Sequence, residues 1–210
     1  MEIIGFILSI LIGISLGLLG SGGSILTIPI LVYVFHVSPS DATTYSLFVV
    51  GVSALVGSFN GAKNNLLDYK TALYFGLPSV ISIFIMRKYL MPDLPNTIFT
   101  ISNFILTKDL LIMLVFSVLM IIASISMIQK QSNIFIDQTK ISNLSLFAKG
   151  IFIGLLTGFV GVGGGFLIIP TLLFSAKLPM KKAVATSLII IAVNSLIGFC
   201  GSINNLPIDW

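Results

Sequence analysis

Polar and apolar residues are strongly segregated along this chain. An apolar block covers residues 3–35, broken only by the cluster Gly20, Gly22 and Gly23. Further apolar blocks cover 42–60, 71–86 and 110–128. The last of these, LLIMLVFSVLMIIASISMI, carries no charge and as a helix crosses roughly 30 Å of hydrocarbon. None of the blocks shows the alternating polarity of a membrane β-strand. Helices are therefore expected, with a kink at Pro78 that neighbouring helices can accommodate. Residues 87–109, with two prolines and charges at both ends, read as a loop with an interfacial apolar piece. A polar connector follows at 129–143.

After that connector the pattern starts again. A shift of 141 positions lays GLLGSGGSILTIP, from Gly17, onto GFVGVGGGFLIIP, from Gly158. The same ungapped shift pairs Ala42, Ser46 and Leu47 with Ala183, Ser187 and Leu188, and Tyr69 with Trp210. One offset that holds through a glycine cluster, a loop and a following span indicates internal duplication, a common construction in secondary transporters. The expected fold is an all-α polytopic integral membrane protein with two homologous repeats. Each repeat opens with a glycine-broken, discontinuous helix. Residues 1–128 form the first repeat, a broken helix plus three spans; 129–143 form the linker; 144–210 form the second repeat, a broken helix plus one span. By that comparison the second repeat stops where its third span would begin, and the chain reads as C-terminally truncated by about two spans of ~20 residues.

Composition narrows the class. Of 210 residues 56% are hydrophobic and only 9% charged, too few charges to coat a water-facing surface. The net charge of +4 comes from lysines lying between the apolar blocks, which does not point to nucleic acid. The single cysteine, Cys200, forms no internal disulfide and reads as a small apolar helix residue. His36, the single histidine, reads as interfacial. No metal-ligand cluster, nucleophile–base pair or nucleotide loop is recognisable, so an enzyme, a metal and a cofactor are not expected. No acidic or basic residue is placed in the middle of an expected span, so no buried proton relay is foreseen.

A helix broken inside a membrane leaves backbone groups that only protein, water or a ligand can satisfy. Glycine tolerates the turn and lets a ligand approach the backbone. The half-helix that follows presents bare N–H groups at the positive end of its dipole, an anion site without a formal charge. The candidate substrate-binding residues are Gly20, Ser21, Gly22, Gly23, Ser24 and Ser46 in the first half. Gly161, Gly163, Gly164, Gly165 and Ser187 are the candidates in the second. Ser46 and Ser187, matched across the repeat, are the expected hydroxyl donors, with Thr43, Thr44, Thr186, Asn194 and Ser195 close to them in sequence. Pro29 and Pro170 support the breaks by kinking the half-helices. The competing account is that small residues merely let helices pack closely, as Gly13 and Gly17 would. If each glycine-broken block enters and leaves on one side, most lysines share a face, which the positive-inside rule makes cytoplasmic.

The paired glycine motifs, each followed by an A-x-x-x-S-L segment (ATTYSL and AVATSL), resemble the sulfite exporter TauE/SafE family of membrane permeases. The resemblance implies a multi-pass carrier in the cell membrane for small anions, such as sulfur oxyanions or organosulfonates of the sulfite or sulfoacetate kind. The partners expected are a small anionic substrate and the lipid bilayer, with a homo-oligomer left open and no nucleic acid. Ser24, where the second motif has Gly165, departs from the repeat. The alternative is a non-transporting membrane subunit or scaffold, or an inactive fragment of such a carrier.

Overall fold

A computed structural model describes residue 10 and residues 23–101, 104–128 and 143–203. Helix α1 (Gly23–Tyr33) is 11 residues long and contains Pro29. Helices α2 (Pro39–Lys63) and α3 (Tyr69–Ile85) follow. The α3 helix continues without a break through a π-helical turn (Met86–Leu90) into α4 (Met91–Asp93). An antiparallel hairpin, β1 (Thr97–Ile101) and β2 (Phe104–Thr107), leads into α5 (Lys108–Ile128). The second half contains α6 (Asn143–Val160), α7 (Gly165–Ser175) and α8 (Met180–Ser202).

Five of these helical segments are long and apolar enough to cross a membrane: Pro39–Lys63, Tyr69–Asp93, Lys108–Ile125, Asn143–Val160 and Met180–Ser202. Met180–Ser202 is the most enclosed, 61% buried, and Lys108–Ile125 the least, at 22%. The α8 helix is therefore the centre of the bundle, and α5 is its most exposed span among the described residues. The protein is a mostly helical, polytopic membrane protein, with two corrections to the expected picture. Residues 87–109 are not a loop, because the span runs on to Asp93, and the apolar piece after it pairs as a β-hairpin. Its strands are rich in the β-branched residues Thr97, Ile98, Thr100, Ile101, Ile105 and Thr107. The described chain is thus not wholly α.

Helix directions follow from glycine contacts. A Cβ on Gly61 would meet Ala185, one on Gly57 Leu188, and one on Gly51 Leu196, so α2 and α8 run antiparallel. Gly76 faces Ile190 and Gly198 faces Ile83, so α3 and α8 run parallel. Gly150, Gly154 and Gly158 in α6 lie against Phe75, Ser79 and Ile83 in α3, four residues apart on each helix. This small-residue stripe lets two backbones approach closely, in the manner of membrane helix pairs.

The α6 helix ends at a tight turn, and α7 then runs back along it. Gly161, Gly163 and Gly164 all have positive φ (+77°, +66° and +76°). Gly161 N–H closes α6 by donating to Thr157 O (2.8 Å), and Leu167 and Ile168 N–H both donate to Gly164 O (2.9 Å). Lys149 Nζ donates to Ser175 Oγ (2.7 Å), so the C-terminal end of α7 returns to the level of the early turns of α6. At 11 residues α7 is ~16 Å long, too short to cross the bilayer. One face of the bundle thereby collects Lys63, Lys70, Lys149, Lys177, Lys181 and Lys182; the other collects Lys88, Asp93, Lys108 and Asp109.

Two predictions test this packing. Gly154→Val drives a side chain into Ser79 O and Cα (2.5 and 2.8 Å from an added Cβ) and should cost about 1–3 kcal/mol or more. Gly57→Ala, whose Cβ would sit 3.5 Å from Leu188, should be tolerated. Thermal unfolding midpoints in detergent would distinguish the pair. At Gly164 an added Cβ collides with Thr157 Cγ2, and the left-handed backbone adds roughly 1–2 kcal/mol. Thr157→Ser removes that methyl, so the double variant with Gly164→Ala should recover part of the loss but not the backbone part.

Candidate functional site

The turn 161–164 is buried throughout and wedged between three helices. A Cβ on Gly161 would fall on Arg87 Nη2 and on Thr43; one on Gly163 would fall on Ser195 Oγ and close to Val50 (2.9 Å). Glycine is required at both positions, since positive φ and the neighbouring polar groups leave no room for a side chain. On α2 the residues Thr43, Ser46 and Val50 fall on one helix face, toward this turn. On α8 the facing positions are Ile191 and Ser195.

Polar groups gather here with incomplete bonding. Ser46 and Ser195 are fully buried, and neither hydroxyl has a hydrogen-bond partner. Beside them, Asn194 Nδ2 donates to Ser79 Oγ (2.7 Å), joining α8 to α3. A buried hydroxyl left without a partner costs about 1–3 kcal/mol, and native proteins hold few of them. Ser195 Oγ lies against Gly163, and Ser46 shares the α2 face of Thr43 and Val50, which touch the turn.

Arg87 is the feature that sequence reasoning missed. It is the chain's only arginine, is 3% exposed, and sits in the π-helical turn within the span Tyr69–Asp93. Its Nη1 donates to Thr43 Oγ1 (3.0 Å) and more weakly to Thr44 Oγ1 (3.5 Å). Its Nε and Nη2 have no partner. No charge is expected in the middle of a span; Arg87 lies past the middle of Tyr69–Asp93 but inside the span, where a loop is expected to begin. The signal was available: a block of 71–86 makes a helix of only ~24 Å, short of the hydrocarbon core. Continuing it past Arg-Lys to full length would have placed the arginine inside.

Arg87 lines a cavity of about 290 Å³ with Ser40, Thr44, Met91, Pro92, Lys108 and Ser202, on the lysine-poor face. Lys108 Nζ donates to Met91 O, and Ser40, through its hydroxyl and its N–H, donates to the Asp109 carboxylate. The glycines of the turn are not among these wall residues; Arg87 connects the turn to the cavity. A second polar cavity, of about 410 Å³, lies on the lysine-rich face between Asp68, Lys70, Thr71, Tyr74, Asn143, Leu146, Ala176 and Leu178.

The other expected site residues fall as follows. Gly20, Ser21 and Gly22 lie outside the described residues, as does the side chain of Ser24; Gly23 is the first residue of α1. Gly164 is the N-cap of α7 and is packed against Thr157, while Gly165 is buried as its first residue. Ser187 is buried, but its hydroxyl donates to Val184 O (2.8 Å) and it lies two turns, ~12 Å, from Ser195 along α8. Pro29 and Pro170 lie inside α1 and α7. Among the described residues no group of three or more His, Cys, Asp and Glu side chains could hold a metal ion.

Comparison with known proteins places the chain. Three relatives carry the name "Probable membrane transporter protein". The one from Xylella fastidiosa is 28% identical over 205 residues, covering 95% of this chain and 73% of that protein. The one from Methanocaldococcus jannaschii is 29% identical over 200 residues, covering 91% and 70%. YunE of Bacillus subtilis is 25% identical over 238 residues, covering 98% and 81%. No solved structure matches the chain. The sequence profile described as "Sulfite exporter TauE/SafE" matches residues 5–210, nearly the whole length. Together with its apolar spans, this makes the chain a multi-pass membrane protein of the sulfite exporter TauE/SafE family.

Proposed function

We propose that the protein is a secondary carrier of small anions, of the sulfur oxyanion or organosulfonate class, bound where its helices are interrupted. Membrane transport follows from the family and its relatives; the anion is our reading. The observation that carries it is the buried glycine turn at 161–164 with two unpartnered hydroxyls, Ser46 and Ser195, around it. A compact oxyanion accepts hydrogen bonds from every side and would satisfy such donors. An apolar solute would not.

The proposal includes the duplicated architecture. Residues 1–128 and 144–210 are two repeats joined by 129–143, and each opens with a glycine-broken helix. The likeness of α1 and α7, each 11 residues long with an internal proline, supports this. By the same shift, Gly20, Ser21, Gly22, Gly23 and Ser24 are the first-half counterparts of the turn residues, and Ser187 is the counterpart of Ser46. Gly161, Gly163, Gly164 and Gly165 supply the second-half backbone, and Gly164 also has a packing duty against Thr157. The lysine-rich face is assigned to the cytoplasm, since positive charge is retained there.

Reconstitution of the full chain into liposomes tests the reading, with labelled sulfite, sulfoacetate, sulfate and acetate. Saturable flux of a sulfur oxyanion or sulfonate is expected. Ser195→Ala should lower that flux by about tenfold, the worth of one hydrogen bond to a charged group, with little change in thermal midpoint. Absence of saturable flux for all four anions would leave the scaffold account in possession.

A further inference from the structure

The guanidinium of Arg87 is hydrogen-bonded at one corner and, along one edge, enclosed but without a partner. Nη1 is anchored to Thr43, while Nε and Nη2, which have no partner, share the opposite edge. On a planar guanidinium these two nitrogens project parallel N–H bonds, the fork that matches two oxygens of a carboxylate, sulfonate or phosphate. The residue is 97% buried, so the unpartnered edge is not a solvated surface charge. No carboxylate among the described residues lies within ion-pair distance of it, and Asp109, near the cavity, is engaged by Ser40. A buried guanidinium with neither counter-ion nor full hydrogen bonding is costly within a span, and such residues mark substrate or ion pathways.

Its surroundings are built to hold it in that pose. The π-helical turn sets it off the regular α3 register, and π-turns recur at functional sites. Gly161 clears space at Nη2, and Gly201 lets α8 pass the stem, with an added Cβ 3.3 Å from Arg87 Cβ. Thr43 is itself fixed, donating to Ser40 O (2.7 Å). The cavity of about 290 Å³ that Arg87 lines is of a size for a small organic or inorganic oxyanion, and Lys108 adds a second positive charge to its wall.

We propose that the Nε–Nη2 edge of Arg87, enclosed by the Gly161 turn in this arrangement, is uncovered when that turn shifts and serves as a bidentate receptor for two oxygens of the transported anion, approached from the cavity that Arg87 lines. This rests on the carrier reading for the word transported, but the binding site stands on its own geometry. It supplies a full charge where bare helix ends would supply partial ones. It also selects for shape: a carboxylate or sulfonate fills the fork, whereas a spherical halide engages it poorly.

Because Arg87 is the only arginine, an arginine-directed reagent reads this one site. Butane-2,3-dione should modify the purified full chain at Arg87, detected by mass. Ethanesulfonate, sulfoacetate, acetate or sulfate should slow the reaction, and chloride at equal concentration should not. Arg87→Lys, which keeps the charge and loses the fork, should weaken ethanesulfonate or sulfoacetate binding by roughly tenfold or more in calorimetry. Thr43→Val, which frees the anchor, should weaken it by a smaller factor. Labelling that no anion in the set slows, equal protection by chloride, or unreactivity of Arg87 would each overturn the proposal. Should Arg87→Lys fail to fold, the labelling of the unaltered protein decides. Protection without liposome flux would sink the carrier reading and keep the site. Flux that is unchanged in a folded Arg87→Lys would do the reverse.

Discussion

A guanidinium enclosed by membrane-spanning helices is the constraint around which this bundle is organised. Removing an ion from water costs several kcal/mol even after relaxation, and one missing partner makes that worse. Three elements converge to contain Arg87. The end of α3 widens into a π-turn that carries it, α2 offers Thr43 and Thr44, and the α6–α7 turn lies against Nη2 with a glycine. Any side chain at Gly161 would occupy the same space as the guanidinium. The buried charge and the glycine turn therefore depend on each other, although 74 residues separate them in the chain.

The glycines do two kinds of work, and the structure separates them. Gly150, Gly154 and Gly158 sit in regular helix and bring α6 onto the backbone of α3. That is the close packing small residues give any pair of membrane helices. Gly161 and Gly163 sit at positive φ; Gly161 faces the guanidinium together with Thr43 and its carbonyl, and Gly163 faces the Ser195 hydroxyl. Gly164 combines the two, positive in φ yet filled by Thr157. Close helix packing and a positive-φ turn are thus two separate uses of glycine in this chain. The stripe in α6 holds α3 in place, and that in turn sets Arg87 beside the turn.

Much of this was legible in the residues. Apolar blocks gave the spans, and the cluster GFVGVGGG marked the place where α6 ends and α7 turns back. Positive φ there is what glycine makes cheap, so composition and conformation coincide. Arg87 escaped because hydropathy ends a span at the first charged pair, whereas the helix continues to Asp93 with the charge turned inward. The hairpin escaped because an apolar run of strand length next to prolines looks the same as an interfacial coil until its two halves pair. Ser187 was favoured over Ser195 by repeat symmetry. Which hydroxyl bonds its own helix depends on tertiary neighbours: Ser187 donates to Val184 O, while Ser195 faces Gly163 and has no partner.

The two polar cavities bound any transport path. Along α3, Thr71 lines one and Arg87 the other, and Ser79 lies eight residues, ~12 Å, from each. At that midpoint Asn194 donates to Ser79 Oγ, with Phe75 and Ile83 fully buried one turn to either side. The layer is closed in this arrangement. The Ser79–Asn194 bond joins α3 to α8 in this closed layer, between the two cavities. Those two helices touch through glycine on each side of that bond, Gly76 at Ile190 and Gly198 at Ile83. Such an interface has few interlocking side chains on the glycine side.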